Sequence, residues 1–154
     1  MLLSLRQLLR KQRLYLDSSV WAAMSPQSDA RMRRATAQFL LSTGHRCRLL
    51  TSRLVYKELG RNRILDVRRS VVRRLKRSRS RRVSTTAGVE RVVLDLLRAG
   101  CLPLRDLADL YHIAYTVVGR GDALVSWDTS DLARPRTREI VGQYLRQSGR
   151  PAIR

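Results

Sequence analysis

Residues 14–20 read Leu14-Tyr15-Leu16-Asp17-Ser18-Ser19-Val20, an unbroken apolar run that stops at a carboxylate. Apolar side chains with no polar interruption are how a strand covered on both faces of a parallel sheet reads. In open α/β sheets the ligand site lies outside the carboxyl ends of the strands, so an acid at that point is placed for chemistry. Asp followed by two serines is equally an ordinary helix N-cap. The positions of the other acids decide between the two readings.

The chain has 154 residues, enough for one domain with a real core. Residues 13–154 read as that single domain, behind a basic N-terminal extension at 1–12 in which Leu2, Leu5 and Leu9 recur at helical spacing. A count of 32 basic against 12 acidic residues, net +20, points to a polyanionic partner, either nucleic acid or an acidic protein. Arginine supplies nearly all of the cations, so part of the excess is also readable as compositional bias. Cys47 and Cys101 are too few and too far apart for a zinc cluster, His45 and His112 lack ligand spacing, and no apolar run has the length of a membrane span. A cytoplasmic location with free thiols is the expectation.

Outward from residue 20, a helical segment opens at Ser28 and is closed by Gly44. A strand at 47–51 leads into a helix carrying Glu58, and a further helix runs over 64–75. Residues 68–82 hold nine basic residues and no acid. A short strand is expected at 83–85, then helices to Gly100 and over 105–118 with Gly119 as the stop. A buried strand at 123–126 and a last helix at about 136–147 complete the chain. Strands alternating with helices, joined by connections long enough for right-handed crossovers, give an α/β class fold, with a central parallel sheet and helices on both faces in three layers.

In that frame the acids sort by position. Asp17 and Asp128 end two strands, Glu58 lies in the helix that follows the second strand, and Asp109 lies in the first turns of the helix before the last strand. Four converging carboxylates repel one another and raise their own pKa values unless a divalent cation neutralises them. Hard oxygen donors suit Mg²⁺ or Mn²⁺, which activate water against a phosphodiester. The basic surface then collects a polyanion that the acidic pit cuts.

Four motifs in this order, Tyr15-Leu16-Asp17-Ser18-Ser19-Val20, Thr51-Ser52-Arg53-Leu54-Val55-Tyr56-Lys57-Glu58-Leu59, Asp109-Leu110-Tyr111-His112-Ile113-Ala114 and Leu124-Val125-Ser126-Trp127-Asp128, make the chain resemble a PIN-domain ribonuclease of the VapC-like toxin type. The resemblance runs from Leu14 to about Ile153. It implies a three-layer PIN-like fold, Asp17, Glu58, Asp109 and Asp128 as catalytic metal ligands, and Ser18 and Ser126 as supporting polar groups. It also implies a metal-dependent endoribonuclease that forms the toxin of a toxin–antitoxin pair. The expected partners are RNA, an acidic antitoxin and a second copy of the chain, with no membrane.

Arg68, Arg69, Arg73, Arg74, Lys76 and Arg77 are candidates for RNA phosphates. Asp131 reads as a cap of the turn it opens, Asp106 as a charge at a helix start, His112 as a hydrogen-bonded packing residue, and Trp127 as packing. The rival readings are a non-catalytic basic nucleic-acid-binding protein and a DNA-directed nuclease with the same acidic site.

Overall fold

A computed structural model describes residues 11–61 and 63–153. The expected extension at 1–12 lies outside them except for its last two residues.

The first strand, β1 (Arg13–Leu16), buries Leu14, Tyr15 and Leu16 almost completely, as expected of a central strand. It stops because Asp17 turns the chain into α1 (Ser18–Ala22), accepting the Val20 N–H at 3.2 Å. The next helix, α2, spans Ala30–Ser42. It starts two residues later than expected because Asp29, rather than Ser28, takes the free N–H groups of Arg31 and Met32. The Ser28 hydroxyl instead donates to the Ala23 and Ser25 carbonyls.

A short 3₁₀ turn leads to β2 (Arg48–Ser52), then α3 (Arg53–Gly60) and α4 (Leu65–Arg77). β3 falls at Arg81–Val83 instead of 83–85, in register with β2 through Leu50–Arg81, Thr51–Arg82 and Ser52–Val83. An edge strand leaves one flank open, where long arginine stems lie along apolar surface with their heads in solvent. Arg82 accordingly sits over the Tyr56 ring, 4.7 Å from its centroid. The remaining elements are α5 (Ala87–Arg98), α6 (Leu107–Val118), β4 (Ala123–Val125) and α7 (Pro135–Gln147).

The sheet has the order β3-β2-β1-β4 and every pairing is parallel. Right-handed crossovers therefore place α1 to α4 on one face and α5 with α6 on the other, the three-layer arrangement expected. The core follows that division. Val20, Trp21, Val55, Val67, Val71 and Leu75 fill one side, and Val89, Val92, Leu96, Leu110, Ile113 and Val117 fill the other.

Gly119 is needed for a reason other than the one its position suggested. Its φ is −68°, ordinary for any residue, but a Cβ there would stand 2.8 Å from the Tyr115 carbonyl and from Val83 Cγ2. The glycine lets the end of α6 come down onto the sheet, and Arg120 takes the left-handed conformation at φ 55°.

Candidate metal centre

The connection leaving β1 moves toward β2, whereas β4 joins the sheet on the other side of β1, so the strand order switches between β1 and β4. A crevice opens at such a switch beyond the carboxyl ends. Asp17 directly follows β1, and Asp128 lies three residues past the end of β4. The Asp17 N–H still donates to the Val125 carbonyl at 3.2 Å, which fixes the two loops side by side.

Asp17 is 4 % exposed, and both its oxygens are occupied. Oδ1 accepts from Ser19 Oγ at 2.6 Å as well as from Val20, and Oδ2 accepts from Ser126 Oγ at 2.5 Å. The Ser126 hydroxyl in turn accepts the Asp128 N–H at 2.8 Å, and Ser19 Oγ accepts the Trp127 N–H at 2.9 Å. Two hydroxyls thus pin the Ser126-Trp127-Asp128 turn to the end of β1. Ser19 was not anticipated in that role, although the Asp-Ser-Ser run contains it.

Glu58 projects from α3 toward α6, where His112 Nε2 lies 3.0 Å from Oε2. His112 Nδ1 is 3.0 Å from the Tyr15 hydroxyl, which is 2.8 Å from Ser52 Oγ. His112 Nε2–H donates to the Glu58 carboxylate, and the Tyr15 hydroxyl bridges His112 Nδ1 and Ser52 Oγ, donating to one and accepting from the other. Burial holds the Tyr15 phenol well above its usual range, which keeps it a donor. His112 is therefore a buried, hydrogen-bonded residue that also aims a carboxylate. Burial pushes Glu58 up, yet the hydrogen bond and charge of His112, the Ser18 hydrogen bond and the nearby Arg61 guanidinium outweigh it, and the carboxyl sits below its ordinary value.

Asp109, Asp128 and Asp131 offer carboxylate oxygens that lie within 4.8 Å of one another. Burial, reinforced by the charges of Asp128, Asp131 and Asp106, pushes Asp109 up to about 6. Asp128 moves the other way, because the Ser130 hydroxyl and the Ser130 and Asp131 N–H groups donate to it. It is thus Asp128 that organises the turn, while Asp131, placed 3.1 Å from Arg134, joins the cluster. Asp17 and Glu58 stand outside that 4.8 Å group: Asp17 is tied to it through Ser126, whose hydroxyl also accepts the Asp128 N–H, and Glu58 is held by His112, three residues along α6 from Asp109. Asp106 lies 3.7 Å from Arg105 at the end of the 3₁₀ turn before α6, where it is the residue from which the helix starts. Trp127 is 37 % exposed, and its indole N–H donates to Thr36.

The donor set is all hard oxygen, and three carboxylates within 4.8 Å of one another, one of them raised by burial and by its neighbours' charges, fit a divalent cation.

The basic run divides between two places. Arg68 and Arg61 line a cavity of about 300 Å³ together with Ser18, Ser19 and Glu58, beside the carboxylates. Arg73, Arg74 and Arg77 line a different cleft, described below. Arg69 and Lys76 are exposed and line neither. Cys47 and Cys101 are free, and no helix among the described residues is long and apolar enough to cross a membrane.

No protein-family model matches the sequence, and no curated protein matches it. Solved structures do. VapC20 of Mycobacterium tuberculosis, a toxin that cleaves the sarcin-ricin loop, superposes with a TM-score of 0.62 at 19 % identity, over 78 % of this chain and 93 % of the other. VapBC2 of Rickettsia felis, solved with a fragment of promoter DNA, gives a TM-score of 0.54 at 11 % identity, over 81 % of this chain and 95 % of the other. The chain has the PIN-like α/β fold of these VapC toxins.

Proposed function

We propose that the chain is a Mg²⁺- or Mn²⁺-dependent endoribonuclease and the toxin of a toxin–antitoxin pair, with residues 13–154 as its single catalytic domain. The observation that carries this reading is the carboxylate cluster at the strand-order switch, in a chain that otherwise has so few acids and a net charge of +20. Asp17, Glu58, Asp109 and Asp128 would hold the cation, with Asp131 adjoining them. A bound cation supplies the charge that lowers the pKa of water and stabilises the leaving oxygen of a phosphodiester.

The rest falls to the protein. Ser126 and Ser19 hold Asp17 in one orientation, His112 and Ser18 hold Glu58, and Arg61 and Arg68 draw the phosphate to the rim. The fold shared with VapC20 and VapBC2 supports RNA as substrate and an antitoxin as partner, and the net charge of +20 favours an acidic one. A second copy of the chain is proposed as a further partner.

The test is incubation of the purified protein with single-stranded RNA, single-stranded DNA and duplex DNA, each with Mg²⁺, Mn²⁺ or EDTA. The expected result is internal cleavage of RNA alone, abolished by EDTA. Cleavage of DNA in preference to RNA supports the DNA-directed alternative, and binding of all three without cleavage supports a non-catalytic nucleic-acid-binding protein.

A further inference from the structure

A cleft of about 860 Å³ lies at the opposite end of the sheet from the carboxylates. Arg13, Arg48 and Arg81, which open β1, β2 and β3, form one wall. Arg73, Arg74 and Arg77 line it from the last turns of α4, and Arg79 adds a further guanidinium from a left-handed residue at φ 55°. No carboxylate lines the cleft. Among the described residues Arg48, Arg73, Arg74, Arg77 and Arg79 form no ion pair with an acid.

A second, independent observation concerns Trp21, which also lines the cleft and is 2 % exposed. Its indole N–H is buried without a hydrogen-bond partner. An indole nitrogen can only donate, so Trp21 sits in the wall of the cleft with an unmet demand for an acceptor and reports on what enters beside it. Guanidiniums crowded around one space, with no acid among the described residues that line it, call for a ligand that is all acceptor and carries several negative charges.

We propose that this cleft is a second docking site for RNA, binding backbone phosphates of a segment that lies beyond the carboxylate rim. Three features favour a phosphodiester chain. The guanidinium fork matches two phosphate oxygens at once. The ligand must carry repeated charge to meet seven arginines. And α4 joins the two sites, with Arg68 beside Glu58 at one end and Arg73, Arg74 and Arg77 in the cleft at the other, over a helix about 20 Å long. A polymer held at both ends of α4 engages both.

In calling that RNA a substrate the proposal rests on the ribonuclease reading, so its test measures binding in EDTA, where cleavage plays no part. Affinity of a fluorescent 20-nucleotide single-stranded RNA for the full chain is followed against salt, for wild type and for R73Q/R74Q/R77Q, whose changes are all at exposed positions. Three lost phosphate contacts lower the slope of log affinity on log salt by about 2. A second readout uses the Trp127→Phe background, in which Trp21 is the remaining tryptophan. RNA shifts or quenches its emission there, and the triple variant removes that response.

An unchanged salt slope together with a silent Trp21 overturns the proposal. So does a poly-glutamate peptide that perturbs Trp21 and depends on the three arginines while RNA does neither, a result that assigns the cleft to an acidic protein.

Discussion

The two rims of the one four-stranded sheet carry opposite chemistry. At the amino rim β1, β2 and β3 open on Arg13, Arg48 and Arg81, with Arg13 and Arg48 directly paired in register. At the carboxyl rim β1 ends at Asp17, β2 runs into the helix that carries Glu58, and β4 is followed by Asp128. Arg13 and Asp17 are four residues apart, about 13 Å along an extended strand, yet they belong to different surfaces. Only a parallel sheet keeps such a separation from strand to strand, because reversal of any strand would interleave the charges. The exception is instructive. Asp122, at the start of β4, lies on the amino side, where its carboxylate accepts the Arg13 N–H at 2.7 Å and so serves the sheet edge.

If the carboxyl rim performs chemistry and the amino rim grips, substitutions at each should fail in different ways. The largest effect is expected from Asp17→Asn, which removes a carboxylate charge but keeps an oxygen for Ser19 and Val20. Cleavage should drop by about a thousandfold while RNA affinity in EDTA holds. A variant that cuts RNA normally, or loses affinity in step with cleavage, erases the distinction between the rims.

Next comes the order of the cluster. Asp128→Ala should cost about a hundredfold in cleavage and Asp131→Ala about tenfold, because the former removes both a ligand and the acceptor that shapes the turn. Equal losses in a side-by-side kinetic assay would show the three aspartates acting as one unit.

His112→Ala sharpens the comparison from behind the site. Without its Nε2 the Glu58 carboxylate is no longer aimed, and Mn²⁺ affinity measured by calorimetry should weaken about tenfold, with part regained in His112→Gln. Unaltered affinity would confine the histidine to packing.

The smallest effect is on stability. Asp109 has a carboxyl raised from its ordinary value to about 6, so the folded state binds its proton more tightly than the unfolded state does. Metal-free protein is therefore favoured below about pH 4, and this contribution is lost as pH rises through 6, by at most about 3 kcal/mol. Denaturant titrations from pH 4 to 7 should show that decline, flattened in Asp109→Asn. A wild-type curve already flat over that range would mean that the aspartates do not repel as their spacing implies.

The carboxyl rim was largely legible in the sequence, since an apolar run that stops at an acid announces both a strand and its end. Residues 14–17 and 123–128 needed nothing further. Asp131 was not legible as part of the cluster. Its reach depends on how Ser130 and Asp128 close the turn, and an acid three residues past another reads as a cap with equal ease. The link from Glu58 to His112 spans 54 positions and appears only once α3 and α6 meet.

The amino rim was almost illegible. Arginines at strand starts look like general basicity until register aligns them, and β3 was expected two residues too late to reveal Arg81 as its first residue. The run at 68–82 likewise reads as one patch, whereas the direction of α4 sends its two ends to different surfaces.

The hydrogen-bonded line from Ser52 through Tyr15 and His112 to Glu58 also sets when a newly made chain can complete its carboxylate site. Its members come from β2, β1, α6 and α3, so the first hundred residues to leave a ribosome hold Asp17 and Glu58 but lack the histidine that orients the latter. Synthesis proceeds from the N-terminus at about 5–20 residues per second. Until α6 emerges and docks, Glu58 has no fixed direction, and a product truncated before residue 112 is unarmed however well its first strands pair.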